Sequence, residues 1–139
     1  MFLPIALIVF VSISSFSEAL SSNGRKQKID VIGSLTCDGK PASGVLVQLY
    51  DTNKLNYLLG KANTNSNGYF DICGKVKNIT KMNPKVNIYT KCHVGAMRCS
   101  RKITIKVPHS AINKRNTYSI GHIELKNKFP GETRDCITF

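Results

Sequence analysis

Cysteine and histidine carry the most reactive side chains of this 139-residue chain, which has five Cys and three His. Cys37, Cys73, Cys92, Cys99 and Cys136 can close two disulfides and leave one thiol in fifteen ways, so spacing alone leaves their connectivity open. Cys92, His93 and Cys99 raise a metal reading. Zinc sites favour close pairs such as C-x-x-C, however, and secreted thiols oxidise, so neither metal nor cofactor is expected. The odd thiol has two readings: an intermolecular disulfide, or a small buried hydrophobe at a strand end. His109 and Ser110 are only sequence neighbours, whereas a nucleophile and its base must meet in space. The chain has no G-x-S-x-G elbow, no H-E-x-x-H and no Gly-rich phosphate loop, and an enzyme is not expected.

Charge suggests binding instead. Lys and Arg number 20 against 8 Asp and Glu, giving a net charge of +12 and a pI near 9.7. Such a field attracts anionic membrane, acidic polysaccharide or nucleic acid without naming one. Basic clusters stand at Arg25-Lys26-Gln27-Lys28, Lys75-Val76-Lys77, Arg98 with Arg101-Lys102, Lys114-Arg115 and Lys126-Asn127-Lys128. Each Lys or Arg close to an anionic leaflet contributes about 1 kcal/mol. Lys75, Lys77, Arg98, Arg101, Lys102, Lys114 and Arg115 are therefore the candidate surface-binding residues, expected to face solvent. A nucleic-acid partner would need aromatics interleaved with the charges, and here Tyr and Phe fall within strand patterns, so none is expected.

The first residues set the compartment. Phe2–Val11 form a short apolar run and Ser17-Glu18-Ala19 supply small residues at signal-peptidase spacing, so residues 1–19 read as a secretory signal peptide and 20–139 as one domain. Cleavage removes Glu18 and no Lys or Arg, raising the net charge from +12 to +13. The run is about half the 20 residues that span a bilayer, and no later stretch reaches that length. Secretion also disposes of a prenylation reading of Cys136-Ile137-Thr138-Phe139, because prenyl transfer is cytosolic. Asn78-Ile79-Thr80 is a complete glycosylation sequon in a Lys-rich stretch, read as a loop from Gly74 to Pro84.

The elements that position these residues are strands. Ile29, Val31, Gly33, Leu35 and Cys37 alternate with Asp30, Ile32, Ser34 and Thr36 up to a Gly-Lys-Pro turn, and the same period marks Val45–Leu49, Leu58–Asn63, Tyr69–Cys73, Val86–Cys92, Ile103–Val107 and Thr117–Leu125. A turn or two of helix fits near His109–Lys114. Seven short strands with turn signals at intervals near ten predict an all-β, antiparallel two-sheet sandwich.

The order of these motifs resembles the nematode transthyretin-like family. The residues that carry the resemblance are Val31–Cys37 with Gly39-Lys40-Pro41-Ala42, Val45–Asp51, Thr64–Phe70 as a T-x-x-x-G-x-F hairpin, Pro84–Cys92, Cys99–Lys102, Ile105–Pro108 and Arg134-Asp135-Cys136. The resemblance spans nearly the whole mature chain and implies a secreted, transthyretin-like sandwich whose four expected cysteines are Cys37, Cys92, Cys99 and Cys136, with Cys73 extra. Thr90 stands where the family commonly has His. Within this frame the first pairing expected is Cys92 with Cys99, clipping two consecutive strands, and the second is Cys37 with Cys136; Cys73 with Cys37 or Cys136 is the competitor. Hydrolases of 5-hydroxyisourate share the architecture but end in Tyr-Arg-Gly-Ser, whereas this chain ends Asp135-Cys136-Ile137-Thr138-Phe139. The expected function is a secreted, non-enzymatic adaptor or ligand for an anionic cell surface or a cell-surface or host protein. The alternatives are a hydrolase of that kind or a carrier of small apolar molecules.

Overall fold

The computed structural model describes residues 25–55, 57–78 and 80–137. The expected signal peptide lies outside them. Nine strands follow in order: β1 (Arg25–Cys37), β2 (Lys40–Pro41), β3 (Leu46–Asp51), β4 (Tyr57–Asn63), β5 (Tyr69–Asn78), β6 (Pro84–Thr90), β7 (Ser100–Lys106), β8 (Tyr118–Glu124) and β9 (Thr133–Asp135). One sheet joins β2, β5 and β8 to β1, and the other runs β4-β3-β6-β7-β9. Seven of these strands are those expected from the alternation; β2 and β9 are additional short pieces. A 3₁₀ turn at His109–Ala111 falls within the helical stretch expected there, and a second, unexpected one follows β3 at Thr52–Lys54. Among the described residues no helix is long and apolar enough to cross a membrane.

Alternation also sets the core. Ile29, Val31 and Leu35 of β1 and Phe70 and Ile72 of β5 turn inward from one sheet; Val47, Leu49, Val86, Ile88 and Ile103 bury in the other. Full burial of each such side chain contributes roughly 1.5–3 kcal/mol, which makes this layer the main source of stability.

Four expectations change. The pairing is not wholly antiparallel: β8 runs parallel to β1, with Leu35 opposite Ile123 and Thr36 opposite Glu124. The segment after β7, including the 3₁₀ turn, leads the chain from the other sheet to this edge of β1. The stretch read as a loop from Gly74 is strand as far as Asn78, because buried Gly74 and half-buried Val76 continue the inward phase between exposed Lys75 and Lys77. The disulfides are Cys37–Cys92 and Cys99–Cys136, not Cys92–Cys99 and Cys37–Cys136. The fold brings the end of β1 beside the end of β6, so Cys37 meets Cys92 across the two sheets. Pairing of β7 with β9 sets Ser100 opposite Asp135, which leaves Cys99 next to Cys136. Cys73 is free, as the cysteine count allowed, but it is exposed in the middle of β5 opposite Asp30 and not buried at a strand end.

The turn before β5 depends on one glycine. Thr64 is buried, donates to Ala42 O at 2.5 Å and accepts from Val45 N at 2.9 Å, while Asn65 Oδ1 accepts from the backbone of Asn67 and Tyr69. Gly68 then takes φ +75°, and a Cβ there would lie 2.2 Å from Leu35 O, the carbonyl of the neighbouring strand. Positive φ alone costs an L-residue roughly 1–2 kcal/mol, and the clash adds to it. Gly68→Ala is expected to lower unfolding free energy by about 3 kcal/mol, read as a shifted urea midpoint at unchanged slope. Non-reducing peptide mapping should return the Cys37–Cys92 and Cys99–Cys136 peptides; a Cys92–Cys99 peptide would refute the strand-end arrangement described here.

Candidate anion-binding face

β1 and β5 pair with Lys26 opposite Lys77 and Lys28 opposite Lys75. All four side chains are exposed on the outer side of the sheet. Like charges directly opposite each other in a ladder are destabilising, by roughly 0.2–1 kcal/mol per pair. Among the described residues no salt bridge engages any of the four. The backbone beneath them is fixed from inside: buried Gln27 donates to Thr80 O at 2.9 Å and accepts from Met82 N at 2.7 Å. Asn113 clamps the same strand, its backbone N–H donating to Lys28 O at 2.7 Å and its Oδ1 accepting from Lys28 N at 2.8 Å. That clamp carries the exposed Lys114 and Arg115 to the margin of the face. A shallow cavity of about 510 Å³ lies among Lys26, Lys28, Lys75, Lys77, Gln27, Val76 and Asn113. The arrangement can hold an anion between opposed ammonium groups, or many anions across a flat surface. One row further on, Asp30 ends the basic run; its carboxyl holds that of Asp71 above the usual carboxylate range, with burial adding to the effect. Asn78, the glycosylation candidate, closes β5 opposite Arg25; Ile79 of its sequon lies outside the described residues.

The basic residues singled out in the sequence do not form one site. Lys75 and Lys77 lie on this face with Lys114 and Arg115 beside it. Arg98 is exposed at the far end, in the connection after Cys92, where its carbonyl accepts from Lys91 Nζ at 2.7 Å. Lys102 is half-buried on the other sheet, near Tyr89 and Asn87. Arg101 is a correction: expected to face solvent, it is only 3% exposed. Lys26 and Lys28 entered the sequence reading as a cluster, and their meeting with Lys75 and Lys77 became visible only once β5 extended past Gly74.

Arg101 is a structural pin. Its guanidinium donates to Glu132 Oε2 at 2.8 Å and Oε1 at 2.9 Å, to Cys92 O at 2.9 Å, to Asn127 O at 2.7 Å and to Leu125 O. That occupies all five donors of the group. The hydrogen bond to Glu132 raises the Arg101 pKa, and the Arg101 guanidinium, joined by the Phe129 N–H, lowers Glu132 to about 2. Glu124 is likewise held near 2, chiefly by the backbone N–H of Lys126, with Gly39, Asp38 and the Thr36 hydroxyl assisting.

The three histidines make different contacts. His93 Nε2 lies 2.8 Å from Asp38, and His122 lies between Ser34 Oγ at 3.0 Å and Thr36 Oγ1 at 3.1 Å on the exposed outer face. His109, itself exposed, begins the 3₁₀ turn whose Ala111 is buried.

A disulfide-stapled β-sandwich with a basic outer face is thus the class of protein defined. Its residues 32–108 match the transthyretin-like family. Transthyretin-like protein 5 of Caenorhabditis elegans is 45% identical over 138 residues, covering 94% of this chain and 98% of that protein. Transthyretin-like proteins 2 and 1 of the same nematode are 36% identical over 126 residues (82% and 85% covered) and 35% over 148 (96% and 94%). The chain belongs to the transthyretin-like family. Among solved structures, a 9R-lipoxygenase from Cyanothece overlaps at a TM-score of 0.41 and 16% identity, over 71% of this chain and 16% of that one, too distant to bear on function.

Because both glutamates are held below their ordinary value of 4.5, they stabilise the fold above that pH and the contribution is lost as pH falls towards 2. Stability measured by urea unfolding should therefore drop between about pH 4.5 and 2. Glu132→Gln should be less stable at pH 7 by about 2–3 kcal/mol, the lower side of a broken buried pair because Glu132 is partly exposed, and its acid decline should be shallower.

Proposed function

We propose that this chain is a secreted, non-enzymatic binding protein that attaches through its lysine face to an anionic cell surface. The observation that carries the reading is the direct opposition of Lys26 with Lys77 and of Lys28 with Lys75 on one exposed face. Such a row costs the free protein stability and returns it only when an anion lies between the ammonium groups. Near an anionic leaflet four lysines supply about 4 kcal/mol, close to a thousandfold in partitioning. Secretion is supported by the signal-like first 19 residues and by two disulfides, which persist in oxidising compartments. A binding role, and not hydrolysis, is the reading that a face of opposed lysines supports. Attachment by this face leaves the stapled end free to meet a cell-surface or host protein. Nucleic acid and cofactors have no part in this reading.

The test is sedimentation of the oxidised, glycosylated protein with vesicles, neutral or containing phosphatidylserine, at about 50 and 150 mM salt. Attachment should be confined to anionic vesicles and weaken as the Debye length shortens from about 14 to 8 Å. Lys26→Glu/Lys28→Glu/Lys75→Glu/Lys77→Glu should abolish it, whereas Arg98→Glu/Lys126→Glu/Lys128→Glu, at the other end, should retain most of it. No attachment at either salt, or equal loss in both variants, would refute the assignment of this face.

A further inference from the structure

Asp38 and His93 both have φ of 53°, and their side chains meet, with His93 Nε2 2.8 Å from each carboxylate oxygen. The Cys37–Cys92 disulfide lies against this pair. Cys37 Sγ is 3.9 Å from Asp38 Oδ2, and the two sulfurs and a ring nitrogen of His93 all fall within 4.8 Å of one another. Two cysteines, one imidazole and one carboxylate are zinc donors, except that sulfur ligates as thiolate and here is held in a disulfide.

We propose that reduction of Cys37–Cys92 opens a zinc site formed by Cys37, Cys92, His93 and Asp38, so that a metal crosslink takes the place of the covalent one. A dithiol reductant supplies two electrons and two protons: the Cys37 Sγ–Cys92 Sγ bond breaks, each sulfur becomes a thiol, and the reductant closes to its own disulfide. Zinc then binds the two thiolates and the two thiol protons pass to solvent. This grouping differs from the Cys92–His93–Cys99 set raised by the sequence, since the ligand atoms that lie together are those of Cys37, Cys92 and His93.

The geometry fits with small movements. Tetrahedral nitrogen and oxygen ligands at 2.0–2.1 Å from zinc stand about 3.3 Å apart, and sulfur and oxygen about 3.5 Å. The present separations are 2.8 and 3.9 Å. The Cα atoms of Cys37 and Cys92 are 6.0 Å apart, which leaves room for the sulfurs to separate by side-chain rotation. Both segments are also anchored without the disulfide. Asp38 N and Gly39 N donate to Glu124, Cys92 N donates to Thr90 Oγ1 at 3.0 Å, and Cys92 O accepts from Arg101. Two thiolates select a borderline-soft ion such as zinc over calcium or magnesium.

The test reduces the full protein anaerobically with a dithiol, removes the reductant, and maps cysteine alkylation with and without one equivalent of Zn²⁺. Zinc should slow alkylation of Cys37 and Cys92 about tenfold or more and leave Cys73 unchanged, with a chelator reversing the effect. His93→Ala should lose most of the protection, and the oxidised protein should retain no zinc through gel filtration. Absence of protection, equal protection of all five cysteines, or equal uptake by the oxidised protein would overturn the site. If reduction unfolds the chain, the readout becomes zinc-dependent recovery of β-sheet circular dichroism, expected in the parent and weakened in His93→Ala; no recovery overturns it.

Discussion

One buried guanidinium organises an entire end of this sandwich. Arg101 comes from β7 and its five donors reach the carbonyl of Cys92 beyond β6, those of Leu125 and Asn127 beyond β8, and Glu132 ahead of β9. These segments have little regular pairing of their own, and without this donor the buried Leu125 carbonyl would go unmet at a cost of about 1–3 kcal/mol. Arg101 therefore holds in place the loops on which both disulfides close: Cys92 contributes directly to its shell, and Cys99 lies two residues before it. The covalent bonds secure a geometry that the hydrogen bonds have already set.

The opposite end is built on another principle. There the inward phase of β1 carries Gln27, whose amide ties the loop at Thr80–Met82, and the outward phase carries lysines that face lysines. The repulsion of two opposed pairs, roughly 0.2–1 kcal/mol each, is smaller than the 1.5–3 kcal/mol gained by burying Ile29 or Ile72 beneath them. A fold with such a core tolerates an unfavourable surface row.

Much of this was legible in the sequence, because period-two patterning depends on neighbours along the chain. Seven strands follow from it, and the Asn65–Gly68 turn from its Asn-Gly pair. The same rule held more information than a search for apolar runs extracts. Arg101 shares its phase with Ile103 and so points inward on β7, and Lys75 and Lys77 alternate with Gly74 and Val76 as any strand surface would. Long aliphatic stems with charged tips suit a strand's wet side as well as a loop, so composition hid β5's second half and with it the lysine face. Disulfide connectivity was a different kind of problem. It depends on which strand ends converge, and the meeting of the ends of β1 and β6 across the two sheets and the pairing of β7 with β9 are contacts between residues far apart in sequence.

β1 connects the two ends. Reading outward along it, Lys26 and Lys28 give way to Asp30, then to Ser34 and Thr36 with His122, and the strand ends at Cys37 with Asp38 and His93 beyond. At about 3.3 Å per residue, Lys26 and Cys37 are on the order of 35 Å apart, several Debye lengths at physiological salt. Charge at the lysine face is therefore screened from the stapled end, so occupying one with an anion leaves the electrostatics of the other unchanged. A rigid strand also fixes their relative orientation. A molecule held to a surface by its lysines presents the disulfide, Asp38 and His93 at a set distance from that surface, as bridging two partners requires.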